Sequence, residues 1–258
     1  MRVITPFENI DGFDGDGRGI TLCTHRGEVV GGFLGAPQRA VTDVYARSMS
    51  ALARGRVLVL YIDGLGYALY RRAAPSHMPY TARLFACEPA RTAYPPLTQP
   101  CMASMLTGVW PDEHGIHSRR DHRPRVPSLL AVPGSVLVEA DSAPLALERE
   151  PVLTLPEDGE DVDGAVLRAA LPIVRGDAPL VIVHFHGLDD MEHGVGDDEA
   201  RLAPRLRALD EAVRLLTEGF RGTVILCADH GAHRESGAGS HGRFDCRDMF
   251  VPYGEVVL

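Results

Sequence analysis

No lysine occurs among the 258 residues; all 26 basic side chains are arginine. This excludes a P-loop lysine cradling nucleotide phosphates and excludes Schiff-base chemistry. Asparagine is almost as scarce, with Asn9 alone. The five cysteines (Cys23, Cys87, Cys101, Cys227, Cys246) are scattered, with no C-x-x-C pair. Their odd number and loose spacing argue against a disulfide framework and against a thiolate zinc site. No stretch of about 18 apolar residues exists, so the sequence predicts no membrane-spanning helix. Met1 to Gly19 is rich in acids and glycines and lacks an apolar run of signal-peptide length, so the expected location is cytoplasmic. The net charge of −9 argues against a partner such as long nucleic acid, whose phosphates call for a basic surplus. An acidic protein can still hold a small phosphate ester if metal ions reverse the charge locally.

What is present suits one large α/β unit. Hydrophobic residues make up 45% of the chain, enough for a core without staples. The expectation is a single α/β domain over residues 1–258, divided into an N-terminal appendage (1–55) and a core (56–258). In the appendage, Asp11 to Gly19 reads as loop. Ile20–His25 and Glu28–Leu34 read as a β-hairpin around Arg26-Gly27. Gln38 to Ala53 has helical spacing.

Three apolar runs organise the rest. Val57–Ile62 ends at Asp63-Gly64; Leu180–Phe185 leads to His186-Gly187-Leu188-Asp189; Val224–Cys227 leads to Asp229-His230-Gly231. Unbroken apolar runs suit strands buried on both faces of a parallel sheet. Helical candidates lie between them: Gly66–Arg72, Met78–Phe85, Gln99–Thr107, Val162–Val174 and Asp198–Glu218. Ser135–Glu139 and Phe250–Tyr253 are weaker strand candidates. Arg119 to Pro133 and Glu148 to Asp163 read as loops. The predicted architecture is a mostly parallel central sheet with helices on both faces, plus the N-terminal hairpin. In such sheets ligands bind beyond the carboxyl ends of the strands.

Those ends carry the chemistry. Asp63, Asp189 with His193 four residues on, Asp229, His230 and His241 supply three carboxylates and three imidazoles. Carboxylate oxygen and imidazole nitrogen suit zinc and related divalent ions. Asp189 and His193, at i and i+4, share one face of a helical turn. Singly, each is an ordinary turn or loop residue; their joint appearance after three apolar strands points to a metal site. Thr98 precedes a helical run with Pro100 in its first turn, which places it as a helix cap. The same position gives a hydroxyl at a helix N-terminus, where anions are favoured. His184 and His186 flank Phe185 at a strand end and read as core or rim histidines, with support of the ligands from behind as the alternative.

Taken together, the segments Tyr61-Ile-Asp-Gly64, Thr98 to Thr107-Gly108, Trp110-Pro111-x-x-His114-Gly115, Asp189-x-x-x-His193, Ala228-Asp229-His230-Gly231 and Ser240-His241-Gly242 resemble the alkaline phosphatase superfamily. The branch they are most similar to is the type I phosphodiesterase and nucleotide pyrophosphatase group. The resemblance runs from about Val57 to Tyr253 and implies an alkaline-phosphatase-like fold. It implies two divalent metal ions, zinc first and manganese as the alternative. Asp189, His193 and His241 would hold one ion; Asp63, Asp229, His230 and Thr98 would hold the other. It implies Thr98 as nucleophile, a phospho-threonine intermediate and a small phosphate-ester substrate, most readily a diester or nucleotide pyrophosphate. A phosphate monoester or a phosphonate is the alternative substrate, and a metal-binding module without turnover is the distant one. Sulfatase relatives use a C-x-P-x-R pattern that Thr98-Gln-Pro-Cys-Met does not match. The resemblance further implies asparagine three residues after the nucleophile, donating to a phosphate oxygen; Cys101 stands there instead.

Overall fold

The computed structural model describes residues 9–13, 19–23, 29–34, 37, 39–140 and 145–258. At the N-terminus, β1 (Asn9–Phe13), β2 (Gly19–Cys23) and β3 (Val29–Leu34) form a small antiparallel sheet in that order. The expected hairpin is its β2–β3 half, with Gly19 opposite Leu34 and Cys23 opposite Val29. Its Arg26-Gly27 turn lies outside the described residues. The expected loop from Asp11 gives way to strand as far as Phe13, because β1 pairs with β2 through its backbone despite its glycine.

The main sheet contains β4 (Arg39–Ala40), β5 (Val57–Ile62), β6 (Glu88–Arg91), β7 (Val136–Ala140), β8 (Val152–Thr154), β9 (Leu180–Phe185) and β10 (Thr223–Cys227). A short hairpin of β11 (His233–Glu235) and β12 (Ala238–Ser240) lies apart from it, and β13 (Phe250–Val257) completes it. The order is β4-β6-β13-β10-β5-β9-β7-β8. All pairings are parallel except those of β13 with β10 and β6. The helices are α1 (Asp43–Leu52), α2 (Tyr67–His77), α3 (Pro79–Phe85), α4 (Thr98–Thr107), α5 (Pro111–His114), α6 (Val162–Arg175), α7 (Gly187–Val195), α8 (Glu199–Thr217) and α9 (Cys246–Met249). The α1 helix packs against α4, β5 and β10, whereas α2, α3 and α6 pack against α8. The sheet is therefore covered on both faces, as the apolar runs predict. The Glu148 to Asp163 stretch, expected as loop, contains the edge strand β8.

Register sets the position of the functional residues. Val57 to Ile62 pair in step with Leu180 to Phe185, and Val57 to Tyr61 with Thr223 to Cys227. Every side chain from Val57 to Ile62 is fully buried, which fixes the register because a one-residue slip would misplace the whole apolar set. The carboxyl ends of β5, β9 and β10 are thus level. Asp63 and Asp229, each two residues beyond the paired Tyr61 and Cys227, emerge side by side.

Candidate metal centre

The strand ends, the start of α4, helix α7 and the loop after β12 converge on one edge of the sheet. Asp63 donates its backbone N–H to Phe185 O at 2.9 Å, which ties the first strand end to the second. The N–H of Gly64 donates to Asp229 Oδ1 at 3.1 Å, which ties the first to the third. The Thr92 hydroxyl donates to the carbonyl of Asp229. Gly64 adopts φ +79°, and a Cβ there would lie 2.7 Å from Glu192 Oε2. Both the left-handed backbone and the crowding require glycine.

His230 Nε2 sits 3.3 Å from Asp63 Oδ1, 3.4 Å from Asp229 Oδ2 and 3.4 Å from Thr98 Oγ. Tetrahedral ligands at zinc bond lengths are ~3.3 Å apart. On the other side of its ring, Nδ1 is 3.2 Å from Gly231 O and donates to it, which turns the Nε2 lone pair inward. A carbonyl partner of this kind fixes the tautomer of metal-binding histidines. Burial and the neighbouring His241 lower the His230 pKa to about 4, so the ring is neutral and its lone pair is free.

The second group lies against the first. His193 Nε2 is 3.2 Å from Asp189 Oδ2, and His241 Nε2 is 3.8 Å from Asp189 Oδ1. His241 Nδ1 donates to Pro96 O at 3.0 Å, so its Nε2 also faces inward. One set of ligand atoms within 4.8 Å of one another is Asp189, His193 and His241; another is Asp63, Asp189 and His230, so Asp189 touches both groups.

The fit to metal ions is tested by what lacks a partner. Asp63 Oδ1, Asp189 Oδ1 and Asp229 Oδ2 are buried without a hydrogen bond. Buried carboxylate oxygens are ordinarily satisfied, and three orphans beside the His230 and His241 imidazoles make a donor set that suits divalent cations. Burial, with Asp63 and Asp189 nearby, pushes Asp229 well above the usual carboxylate range. Burial also raises Asp63, but hydrogen bonds from His184 and His186 and the nearby His230 more than offset it and hold it well below that range. Asp189 is likewise held below that range, against burial and the nearby Asp63, by its hydrogen bond with His193 and by His230 and His241; Asp229 is the carboxyl whose charge the protein leaves to a cation.

The fully buried His184, expected as a core or rim residue with support of the ligands as the alternative, takes that supporting place and bridges two carboxylates. Its Nε2 is 3.2 Å from Asp63 Oδ2 and its Nδ1 is 3.2 Å from Glu139 Oε2. Burial opposes its charge, yet these two acids raise its pKa to about 10. Its ring stacks on Tyr61 at 4.0 Å. His186 Nδ1 reaches the same Asp63 oxygen at 2.7 Å. Asp63 thus commits Oδ2 to imidazoles and presents Oδ1 to the site. Sequence reasoning missed Glu139 because it comes from a strand distant in the chain, and only the sheet order reveals the pairing.

Thr98 departs from expectation in an informative way. Leu97, not Thr98, caps α4, and Thr98 is the first helical residue with no capping bond from its side chain. Its hydroxyl is therefore available to the site. Cys101 also differs: it is buried, and its Sγ donates to Ala93 O and Pro95 O at 3.6 and 3.8 Å. The position three residues after Thr98 thus points away from the centre. A cavity of about 260 Å³ beside Thr98 is lined instead by Gln99, Arg119, His186, Asp189, Asp190 and His193. Gln99 and Arg119 had no signal beyond their neighbourhood.

With this geometry the chain matches the profile of the type I phosphodiesterase / nucleotide pyrophosphatase family over residues 57–126 and 150–250. The chain belongs to that family. No curated protein matches it by sequence. Its fold is similar to murine ectonucleotide pyrophosphatase / phosphodiesterase 5, with 16% identity, a TM-score of 0.54, and coverage of 70% of this chain and 58% of that one. It is also similar to phosphonoacetate hydrolase from Sinorhizobium meliloti 1021, with 18% identity, a TM-score of 0.52, and coverage of 69% and 57%. A third similar structure is BT1596, a 2-O GAG sulfatase, at 15% identity and a TM-score of 0.62, covering 79% and 64%. At these identities the likeness is one of fold, and this phosphodiesterase-family chain spans less than two thirds of each relative's length. All three belong to the alkaline phosphatase superfamily. No helix among the described residues is long and apolar enough to cross a membrane.

Proposed function

We propose that this chain is a metal-dependent hydrolase of phosphate esters, acting as a single unit through Thr98. The observation that carries the reading is the Thr98 hydroxyl, free of any capping role and 3.4 Å from His230 Nε2, beside the three orphaned carboxylate oxygens. Asp189, His193 and His241 would hold one divalent ion; Asp63, Asp229 and His230, with Thr98, would hold the other. Zinc fits this donor set, with manganese the alternative. Such ions supply neutralisation of phosphoryl charge and a lowered hydroxyl pKa.

The residues do the rest. Thr98 Oγ gives its proton to solvent and attacks phosphorus as the bond to the leaving ester oxygen breaks, and that oxygen takes a proton from solvent. A water then attacks phosphorus, the Thr98 Oγ–P bond breaks, and the hydroxyl regains its proton. The N–H groups of Thr98 and Gln99 at the start of α4, and the Gln99 side chain that lines the cavity, would meet the phosphoryl oxygens. His184 and Glu139 keep Asp63 oriented.

Family membership favours a small diester or nucleotide pyrophosphate as substrate. A monoester or phosphonate is the second reading, and the observation favouring it is the arginine in the cavity. The test is hydrolysis of a bis-aryl phosphate diester and the matching aryl monoester by zinc-loaded protein, with Thr98→Ala alongside. The expected result is chelator-sensitive turnover that falls at least ~10³-fold in the variant. Turnover that survives the substitution would remove Thr98 as nucleophile.

A further inference from the structure

Arg119 comes from the arginine- and proline-rich segment after α5, yet its guanidinium lines the cavity beside Thr98. Nη2 lies 3.3 Å from His241 Nε2. His241 Nδ1 already donates to Pro96 O, so Nε2 carries the lone pair that Nη2 meets. This is the lone pair His241 would offer a metal ion. With it so committed, the Arg119 N–H is released toward the cavity. Arg119 has no ion pair among the described residues, whereas Arg243 and Arg247 each pair with a carboxylate. An arginine with its fork unclaimed inside a site is suited to bidentate capture of phosphate or carboxylate oxygens.

Charge counting indicates which anion. Two divalent ions over the ligand carboxylates Asp63, Asp189 and Asp229 leave one net positive charge, counted over the ligands alone because His184 is paired with Glu139 and His186 with Asp190. That matches the single negative charge of a phosphate diester. A dianionic phosphoryl group, with a third non-bridging oxygen, calls for one more cation and one more set of donors. Cys101, turned toward Ala93 and Pro95, supplies neither; Arg119 supplies both. Resting on the phosphate-ester reading, and on the second of its two substrate classes, we propose that Arg119 is an anion subsite that makes this centre select a dianionic phosphoryl group, as in a phosphate monoester, over a diester.

The test is calorimetric binding of inorganic phosphate, mostly dianionic at pH 8, and of dimethyl phosphate, a diester monoanion. Zinc-loaded full-length protein is compared with Arg119→Ala and Arg119→Lys. Arg119 is exposed, so both variants are expected to fold, and zinc content is measured for each. Wild type should bind phosphate more tightly than dimethyl phosphate. Arg119→Ala should weaken phosphate about 30- to 100-fold, as expected for a charge-assisted pair, and dimethyl phosphate less than about 3-fold. Arg119→Lys, a point charge without the fork, should fall between. Equal weakening of both anions, no change in either, or loss of zinc in Arg119→Ala would overturn the proposal; the last would make Arg119 a support for His241. The Thr98→Ala turnover assay stands apart. Activity surviving there refutes the nucleophile while leaving an Arg119-dependent phosphate preference intact.

Discussion

Replacing Asp229 with asparagine should move stability in opposite directions with and without metal. Asp229 accepts from Gly64 N–H through Oδ1 at 3.1 Å, while Oδ2 is buried and unpartnered. Asparagine keeps the acceptor and places an NH₂ group where Oδ2 stood, 3.4 Å from His230 Nε2. That nitrogen can accept, because Nδ1 already donates to Gly231 O. An unsatisfied buried polar group costs about 1–3 kcal/mol. At about 2–4 °C per kcal/mol for a chain of this size, metal-free Asp229→Asn should melt roughly 3–10 °C above wild type. Zinc at about 100 times its dissociation constant stabilises by about 2.7 kcal/mol per site, or roughly 5–10 °C. The wild type should show that shift for each of two ions, and the variant should lose the share of the ion held by Asp63, Asp229 and His230. Thermal melts in chelator and in a zinc series give both quantities. A metal-free variant that melts below wild type, with an undiminished zinc shift, would refute the assignment of Asp229 as an uncompensated ligand.

Two other predictions concern the scaffold. His114 accepts from Ile116 N–H at Nδ1 and donates from Nε2 to Ser104 Oγ; burial, reinforced by His117, lowers its pKa to about 3. Because the unfolded histidine titrates near 6.5, its contribution is fully present above that pH. It drains as pH falls toward 3, by about 1.4 kcal/mol per pH unit. Urea unfolding at several pH values should show this extra acid sensitivity in wild type and not in His114→Gln; parallel curves would contradict it. At Gly231, a Cβ would collide with the Arg247 carbonyl and lie 2.5 Å from Gly66 Cα. Gly231→Ala should therefore push the Asp63 and Asp229 loops apart and weaken zinc binding at least ~10-fold in a competition titration, and unchanged affinity would show that the loops yield without moving the ligands.

The sequence made the central sheet and the ligand set readable for one shared physical reason. Strands buried on both faces appear as unbroken apolar runs, and the polar residue ending each run stands out. Register then does what residue-by-residue reading cannot. It makes Asp63 and Asp229 neighbours, and it places Glu139 of β7 beside His184 of β9 to form the carboxylate–imidazolium–carboxylate bridge. Short edge strands such as β4 and β8 carry too few residues to show a period. Residue type makes Thr98 a helix cap, but the helix begins one residue earlier than the sequence suggests and leaves the hydroxyl to the site. Arg119 is one of several arginines in a segment without periodicity, and only the fold distinguishes it from its neighbours.

The central claim, that Thr98 carries the phosphoryl group, is tested most directly by looking for it there. Zinc-loaded protein mixed with an aryl phosphate monoester, quenched in acid within one turnover and mapped by mass spectrometry, should carry a phosphoryl group on the peptide containing Thr98. The label should appear at the rate of the aryl-alcohol burst and be absent in Thr98→Ala. A full burst with Thr98 unmodified, or a phosphoryl group on another side chain, would contradict the account.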